Sequence, residues 1–161
     1  MFTEIPPHAE YFMTAPRFAV VGRVLEDTSR FDYKVLEWYT DRNLPVTGVR
    51  APRPGFDNAK PVLGHKVVDD VTQLPDLAET SISVILHPAL GIKMMQSLFP
   101  EQRRPEAEPY AMWFQPGAES AEIFDFVKAR GIGDKVVIGD HPCILVSGDD
   151  ARKKAPKSAL A

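Results

Sequence analysis

The chain of 161 residues lacks several features by which protein classes are recognised. Its single cysteine, Cys143, excludes an internal disulfide and a zinc site built on several cysteines. No apolar run approaches the length of a membrane-spanning helix. The net charge of −3 has the wrong sign to attract nucleic acid or an anionic membrane surface. We therefore expect no nucleic-acid partner, no membrane partner and a reducing, cytoplasmic location.

The sequence also lacks a glycine-rich turn after its first apolar run. The run Phe18–Gly22 ends in a glycine, but the next glycine along the chain is Gly48. The fingerprint of dinucleotide-binding enzymes places three glycines in this turn, so that fingerprint is absent. Any phosphate held here would need donors from side chains rather than from glycine amides.

Apolar runs alternate with helical patterns over most of the chain, whose apolar fraction of 44% is typical of a globular protein. This alternation predicts an α/β fold, a Rossmann-like three-layer sandwich with a mostly parallel five- or six-stranded sheet. Ser29 or Asp32 can cap the first long helix. The predicted strands are residues 18–22, 46–49, 81–86, 110–114, 135–139 and a short last one at 143–148. The predicted helices are residues 33–43, 87–99 and 121–130, with a short helical turn at 72–79.

Three segments are predicted along the chain. Residues 1–16, with three prolines, form an extended or loosely helical N-terminal arm. Residues 17–148 form the Rossmann-like domain, and residues 149–161 form a flexible C-terminal tail.

In an open parallel sheet, ligands bind at the carboxyl ends of the strands, where the strand order reverses. That rule selects five loops as the predicted ligand face. They are Gly22–Asp32, Arg50–Gly55, His87–Leu90, Gln115–Ser120 and Gly139–Cys143.

These loops carry motifs whose order and spacing are moderately specific together. They are AVVGRVLEDTSRFDYKV, VRAP, GHKVVDDVTQLP, LHPAL, WFQPGAES and GDHPCILV. With them the chain resembles the small single-domain CoA-binding Rossmann proteins, relatives of the CoA-binding domain of succinyl-CoA synthetase α-subunits. The resemblance covers residues 17–148. It departs from the family pattern at Arg23-Val24, Ala51-Pro52 and His87-Pro88, where the family has Ala-Ser, Asn-Pro and Arg-Pro.

The resemblance implies noncovalent binding of coenzyme A or an acyl-CoA, with NADP a less favoured cofactor. The candidate binding residues lie in all five loops, except Lys34, which lies in the helix after the first loop. They are Gly22, Arg23, Ser29, Arg30, Lys34, Arg50, Pro52, His87, Pro88, Gln115, Gly117 and Cys143.

Arg50, with Arg53 nearby, follows the second strand, where NAD-binding proteins carry an acidic residue for the ribose. A cation there suits a phosphorylated ribose, as in CoA or NADP; the alternative is a surface arginine pair. Gly22 is either a phosphate contact or a plain turn glycine. The four polar residues from Arg23 to Lys34 either supply phosphate donors or form a solvated loop.

The remaining candidates have equally simple alternatives. His87 is interpreted as a polar loop residue near the adenosine or pantetheine, because no metal-ligand spacing accompanies it. The turn from Gln115 to Gly117 either contacts the ligand or only starts a helix. Cys143 either exchanges with the CoA thiol or is an inert core cysteine.

No paired carboxylates, nucleophile elbow or metal cluster is visible, so we expect binding without catalysis. The alternatives are an NADP-linked oxidoreductase and a ligand-free protein-interaction module. A homodimer is compatible with each of these functions.

Overall fold

A computed structural model describes residues 7–139 and 143–154 of the chain. The described residues form one six-stranded sheet, in which each strand pairs parallel to its neighbours. The strands are β1 (Arg17–Gly22), β2 (Val46–Val49), β3 (Val67–Val68), β4 (Thr80–Ile85), β5 (Ala111–Phe114) and β6 (Val136–Val137). Their order across the sheet is β3-β2-β1-β4-β5-β6. This confirms the predicted α/β, Rossmann-like fold.

Five α-helices of the described residues cover the two faces of the sheet. They are α1 (Pro7–Met13), α2 (Phe31–Asp41), α3 (Pro88–Leu98), α4 (Ala121–Arg130) and α5 (Ile144–Lys154). Helices α1, α2 and α5 share one core cluster with Phe18 and Val20 of β1, while α3 and α4 share the other with Ala19 and Val21. Because β1 is buried on both faces, its sequence is a continuous apolar run rather than an alternating one.

Part of the predicted N-terminal arm is a helix that contributes to the core. Phe12 and Met13 of α1 are buried, and the Phe12 ring meets the Trp113 ring edge-on at 5.5 Å. Of the two conformations expected for this segment, residues 7–13 adopt the helical one. Residues 1–6 of the predicted arm lie outside the described residues.

The predicted last strand at residues 143–148 is wrong. From Ile144 onward these residues form α5, which buries Ile144, Ser147 and Ala151 at helical spacing. A short apolar run does not by itself distinguish a strand from a buried helix, and here the helix continues into polar sequence. Residues 149–154, predicted as tail, are therefore helical; the rest of that tail lies outside the described residues.

The sixth strand is β3, which was not predicted because its apolar run is only Val67–Val68, between Lys66 and Asp69. The equally short β6 was predicted because its apolar run continues into Ile138. The helical turn predicted for residues 72–79 is present as two short 3₁₀ turns, Val71–Gln73 and Leu77–Glu79. Together these segments connect β3 to β4. Helix α4 begins and ends as expected, with Ser120 accepting a bond from the Ile123 amide and Gly131 closing the helix at φ 68°.

Strand order reverses at β1. From β1 the chain first builds outward through β2 and β3, and then crosses to the other side of β1 to form β4, β5 and β6. Because the chain leaves β1 and β4 toward opposite edges of the sheet, a crevice forms between the carboxyl ends of these two strands. Ligands bind at this position in sheets of this kind.

Helix α5 is held against α2 by a salt bridge and by a close contact at a glycine. Arg42 donates two bonds to the Asp149 carboxylate, at 2.6 and 2.8 Å, and its guanidinium lies over the Trp38 ring. A Cβ on Gly148 would lie 2.5 Å from Cζ2 of Trp38, so the glycine is required for the helices to approach.

We predict that Gly148→Ala lowers the free energy of unfolding by about 1–3 kcal/mol, the usual cost of overfilling a packed contact. Chemical denaturation measures this loss. Gly133→Ala is the matched control, because a Cβ there meets no atom within 4 Å. Equal stability of the two variants would contradict the proposed contact between α5 and Trp38.

Candidate functional site

A cavity of about 590 Å³ opens at the point where the strand order reverses. Its size lies within the range of small-molecule sites. The residues that line it come from the carboxyl ends of β1, β2 and β4, from the segment after β3 and from α3. They are Val21, Gly22, Arg23, Val49, Ala51, Arg53, Asp69, Asp70, Val71, Leu86, Leu90, Lys93, Met94 and Ser97.

The cavity lining contains both apolar and charged residues. Most of its residues are apolar, so the cavity offers a hydrophobic surface to a ring or an alkyl chain. The charged residues include three cations, Arg23, Arg53 and Lys93, and two acids, Asp69 and Asp70. The cavity can therefore take a ligand that is apolar at one end and anionic at the other.

Arg53 lies against an aromatic ring at the cavity. Its guanidinium lies 4.3 Å from the centre of the Phe56 ring. Its Nε is buried and has no hydrogen-bond partner among the residues that the structure describes. Arg53 is thus preoriented by an aromatic ring in the cavity lining, where its positive charge can attract an anionic ligand.

The loop between β1 and α2 is closed by its own acidic residue. Asp32 is 1% exposed, and its Oδ2 accepts bonds from the amides of Val24 and Leu25 at 3.0 and 3.1 Å. Its Oδ1 accepts from the amide of Tyr33 at 2.8 Å. Contrary to the prediction, neither Ser29 nor Asp32 is the N-cap residue of α2; that residue is Arg30, whose side chain makes no capping bond. Asp32 nevertheless accepts from one of the free amides in the first turn of this helix, that of Tyr33.

Few of the candidates predicted in this first loop reach the cavity. Gly22 and Arg23 line it, whereas Ser29, Arg30 and Lys34 are exposed and do not. The Ser29 hydroxyl donates to the Asp27 carboxylate at 2.7 Å, and this bond holds the pKa of Asp27 below its ordinary value. Arg30 Nε lies 4.0 Å from Oδ1 of Asp32.

Arg50 is a buried connector and does not line the cavity. Its side chain is 1% exposed, with Nη1 donating to the Val24 carbonyl at 2.7 Å and Nε donating to Oδ1 of Asn58 at 2.8 Å. Asn58 in turn donates to Asp69 at 2.7 Å, on the cavity rim. Arg50 therefore ties the loop after β1 to the segment after β3. Pro52 is exposed and also lies outside the lining.

His87 and Pro88 start α3 but do not line the cavity. Nδ1 of His87 accepts a bond from the Ala89 amide at 3.1 Å, which makes His87 the N-cap residue, and Pro88 is the first residue of the helix. The helix presents other residues to the cavity, at helical spacing: Leu90, Lys93, Met94 and Ser97. Lys93 was not among the predicted candidates, although its spacing from Leu90 places both on one face of α3.

Gln115, Gly117 and Cys143 lie together at the end of β5, apart from the cavity lining. Gln115 is fully buried, and its Oε1 accepts a bond from the Ile144 amide at 2.9 Å, at the start of α5. Gly117 has φ +95° in the turn before α4. Cys143 is half-buried, and its carbonyl accepts from the amides of Val146 and Ser147. Residues 140–142 of this predicted loop lie outside the described residues.

Neither a metal-ligand cluster nor a membrane-spanning helix is found in the described parts of the chain. Across residues 7–139 and 143–154, no group of three or more histidine, cysteine, aspartate or glutamate residues could hold a metal ion. None of the helices described there is both long enough and apolar enough to span a membrane.

Comparison with known families gives a match to the CoA binding domain over residues 16–149. The chain belongs to the CoA binding domain family. This confirms the resemblance drawn from the loop motifs, and it indicates CoA binding as the general class of function. No curated protein matches the chain.

Solved structures with the same fold cover most of the chain. A conserved hypothetical protein from Pyrococcus furiosus is 26% identical, with a TM-score of 0.62 over 81% of this chain and 97% of its own. A Thermus thermophilus protein is 21% identical, with a TM-score of 0.67 over 88% and 93%. A hypothetical protein from Pyrococcus horikoshii is 17% identical, with a TM-score of 0.67 over 94% and 99%. The last two show the fold alone.

The different environments of Arg50 and Arg53 give a stability prediction. Arg50→Ala removes two charge-assisted bonds and a cation–π contact with the Phe56 ring at 4.7 Å. We expect it to lower the free energy of unfolding by about 1.5–3 kcal/mol for each bond lost. Arg53→Ala, the matched control, loses one cation–π contact, worth about 0.5–1 kcal/mol. Urea denaturation without ligand measures both. Equal losses would contradict the assignment of Arg50 as the connector of the two loops.

Proposed function

We propose that this domain binds coenzyme A or an acyl-CoA noncovalently in the cavity at the carboxyl ends of β1, β2 and β4, and catalyses no reaction on it. The observation that carries the proposal is the composition of this cavity. Apolar residues of the lining, among them Val49, Val71 and Leu86, lie in one cavity with three cations. The cavity is at the position where the fold places its ligands. The family match supports CoA as the ligand class.

CoA matches this lining in its chemistry. It carries a pyrophosphate and a separate 3′-phosphate on its nucleotide, joined to a long and less polar pantetheine arm. Arg53, which lines the cavity, suits a phosphate, since a guanidinium can contact two phosphate oxygens at once. Lys93 and Arg23 add positive charge to the lining, and its apolar residues suit the adenine ring or the pantetheine arm.

Asp69 and Asp70 are compatible with this ligand because each already accepts a bond inside the protein. Oδ1 of Asp69 accepts from Asn58 at 2.7 Å, and Oδ2 of Asp70 accepts from the Thr72 hydroxyl at 2.6 Å. Their remaining oxygens can accept from ribose hydroxyls or from amide N–H groups. They would repel a phosphate placed against them, so the phosphates belong nearer to Arg53 and Lys93.

Binding without turnover rests on the lack of an activated group at the cavity. Among the described residues, no hydrogen bond joins a serine or lysine of the lining to a general base, as an activated nucleophile requires. A cytoplasmic location and a homodimer remain predictions that belong with this proposal. The NADP-linked alternative also uses a phosphorylated ribose, and the first experiment separates it from CoA.

Titration of the nucleotide-free protein with CoA, dephospho-CoA and NADP by calorimetry tests the ligand. We expect micromolar binding of CoA. Dephospho-CoA lacks the 3′-phosphate and so lacks one charge-assisted contact, and we expect it to bind about tenfold more weakly. NADP should bind more weakly than CoA. A folded protein that gives no heat with CoA would overturn the proposal, and a preference for NADP would favour the redox alternative.

Substitutions at the rim test where the phosphates lie. Arg53→Ala and Lys93→Ala should each weaken CoA binding about tenfold, the cost of one charge-assisted bond. Lys128→Ala, which removes the same charge from the exposed side of α4, should leave the affinity unchanged. If the Lys128 variant lost as much affinity as the rim variants, a general charge effect would replace the proposed contacts.

A further inference from the structure

The buried carboxylate of Asp32 lies where a nucleotide phosphate would be expected. In parallel sheets of this topology, a ligand pyrophosphate lies at the end of the first strand, against the backbone amides of the turn and the start of the following helix. Here the amides of Val24 and Leu25, which come directly after β1, donate to Oδ2 of Asp32. A protein oxyanion therefore uses the donors that a phosphate would use.

Gly22, at the start of the loop, allows the Asp32 side chain to approach the backbone closely. A Cβ on Gly22 would lie 2.6 Å from Cβ of Asp32 and 2.7 Å from its Oδ2. The close approach that only glycine permits at this position is thus made to the Asp32 side chain. Gly22 also lines the cavity, so the carboxylate lies directly behind the wall that a ligand would meet.

The loop around Asp32 is held in this arrangement from both sides. Leu25 is fully buried at φ 67°, a left-handed conformation that a leucine adopts only when its surroundings enforce it. The carbonyl of Val24 accepts the 2.7 Å bond from Arg50. An anion that approached these amides would have to displace a buried carboxylate or lie against it, and the repulsion is strong where water is excluded.

We propose that Asp32 is a specificity-determining residue. Its carboxylate takes the phosphate position at the end of β1, and it thereby excludes a pyrophosphate from the loop amides on which NAD and NADP depend. The phosphates of a bound nucleotide are left to the side chains of the cavity rim, Arg53 and Lys93 above all. This last statement rests on the proposed CoA binding, whereas the exclusion itself does not.

The exclusion is tested with inorganic pyrophosphate, which needs no adenosine or pantetheine site. Calorimetry at low ionic strength compares the wild type with Asp32→Gly, which removes the carboxylate and frees the two amides. We expect the variant to bind pyrophosphate at least tenfold more tightly, and to gain affinity for NADP. Asp27→Asn is the matched control, because it removes one negative charge from an exposed position of the same loop.

An unchanged pyrophosphate affinity in folded Asp32→Gly would overturn the proposal. So would an equal gain in Asp27→Asn, because net charge would then explain the effect. If circular dichroism shows that Asp32→Gly does not fold, Asp32→Ala, which also removes the acceptor from the two amides, replaces it with the same expectation and the same criterion for failure. A wild type that does not bind CoA would overturn the proposed function, but it would leave this comparison valid.

Discussion

A carboxylate buried at the end of the first strand must be hydrogen-bonded, and much of the ligand-side geometry follows from how Asp32 meets that requirement. It accepts from the amides of Val24 and Leu25, which curls the loop inward. The curl turns the Val24 carbonyl toward Arg50, and Arg50 reaches Asn58 and so the segment after β3. One buried acid thus organises the loops at the carboxyl ends of three neighbouring strands.

The inward curl moves the available anion donors from the backbone to side chains. With the loop amides used internally, the positive charge at the cavity comes from the loops after β1 and β2 and from α3, as Arg23, Arg53 and Lys93. These side chains lie in one cavity with the apolar residues of its lining, on the α3 side of the sheet. A fold that commonly holds phosphates with glycine amides has here a lining that can hold them with guanidinium and ammonium groups.

The sequence predicted the sheet well where its strands are long. The six residues of β1, for example, include the apolar run Phe18–Val21, which is easily recognised. The two residues of β3 form too short a run, and the apolar start of α5 has the composition of a strand. Tertiary packing decides between these alternatives: α5 is a helix whose Gly148 fits against Trp38 of α2.

The candidate site was predicted in its location but only partly in its residues. Arg50 and Arg53 both follow β2, and nothing in their immediate sequence says which one is buried; Asn58, eight residues beyond Arg50, makes that choice. Lys93 could have been found from its spacing along α3. The internal role of Asp32 could not, because it depends on how two backbone amides point once the loop is folded.

Methyl NMR of the isotope-labelled protein during titration with CoA shows where the ligand binds. If the cavity at the strand reversal is the binding site, the methyl groups of Val49, Val71, Leu86 and Leu90 shift, and those of Leu145 and Val146 on α5 do not. Shifts confined to α5 and the end of β5 would contradict the account, because they would place the ligand at Gln115 and Cys143, away from this cavity.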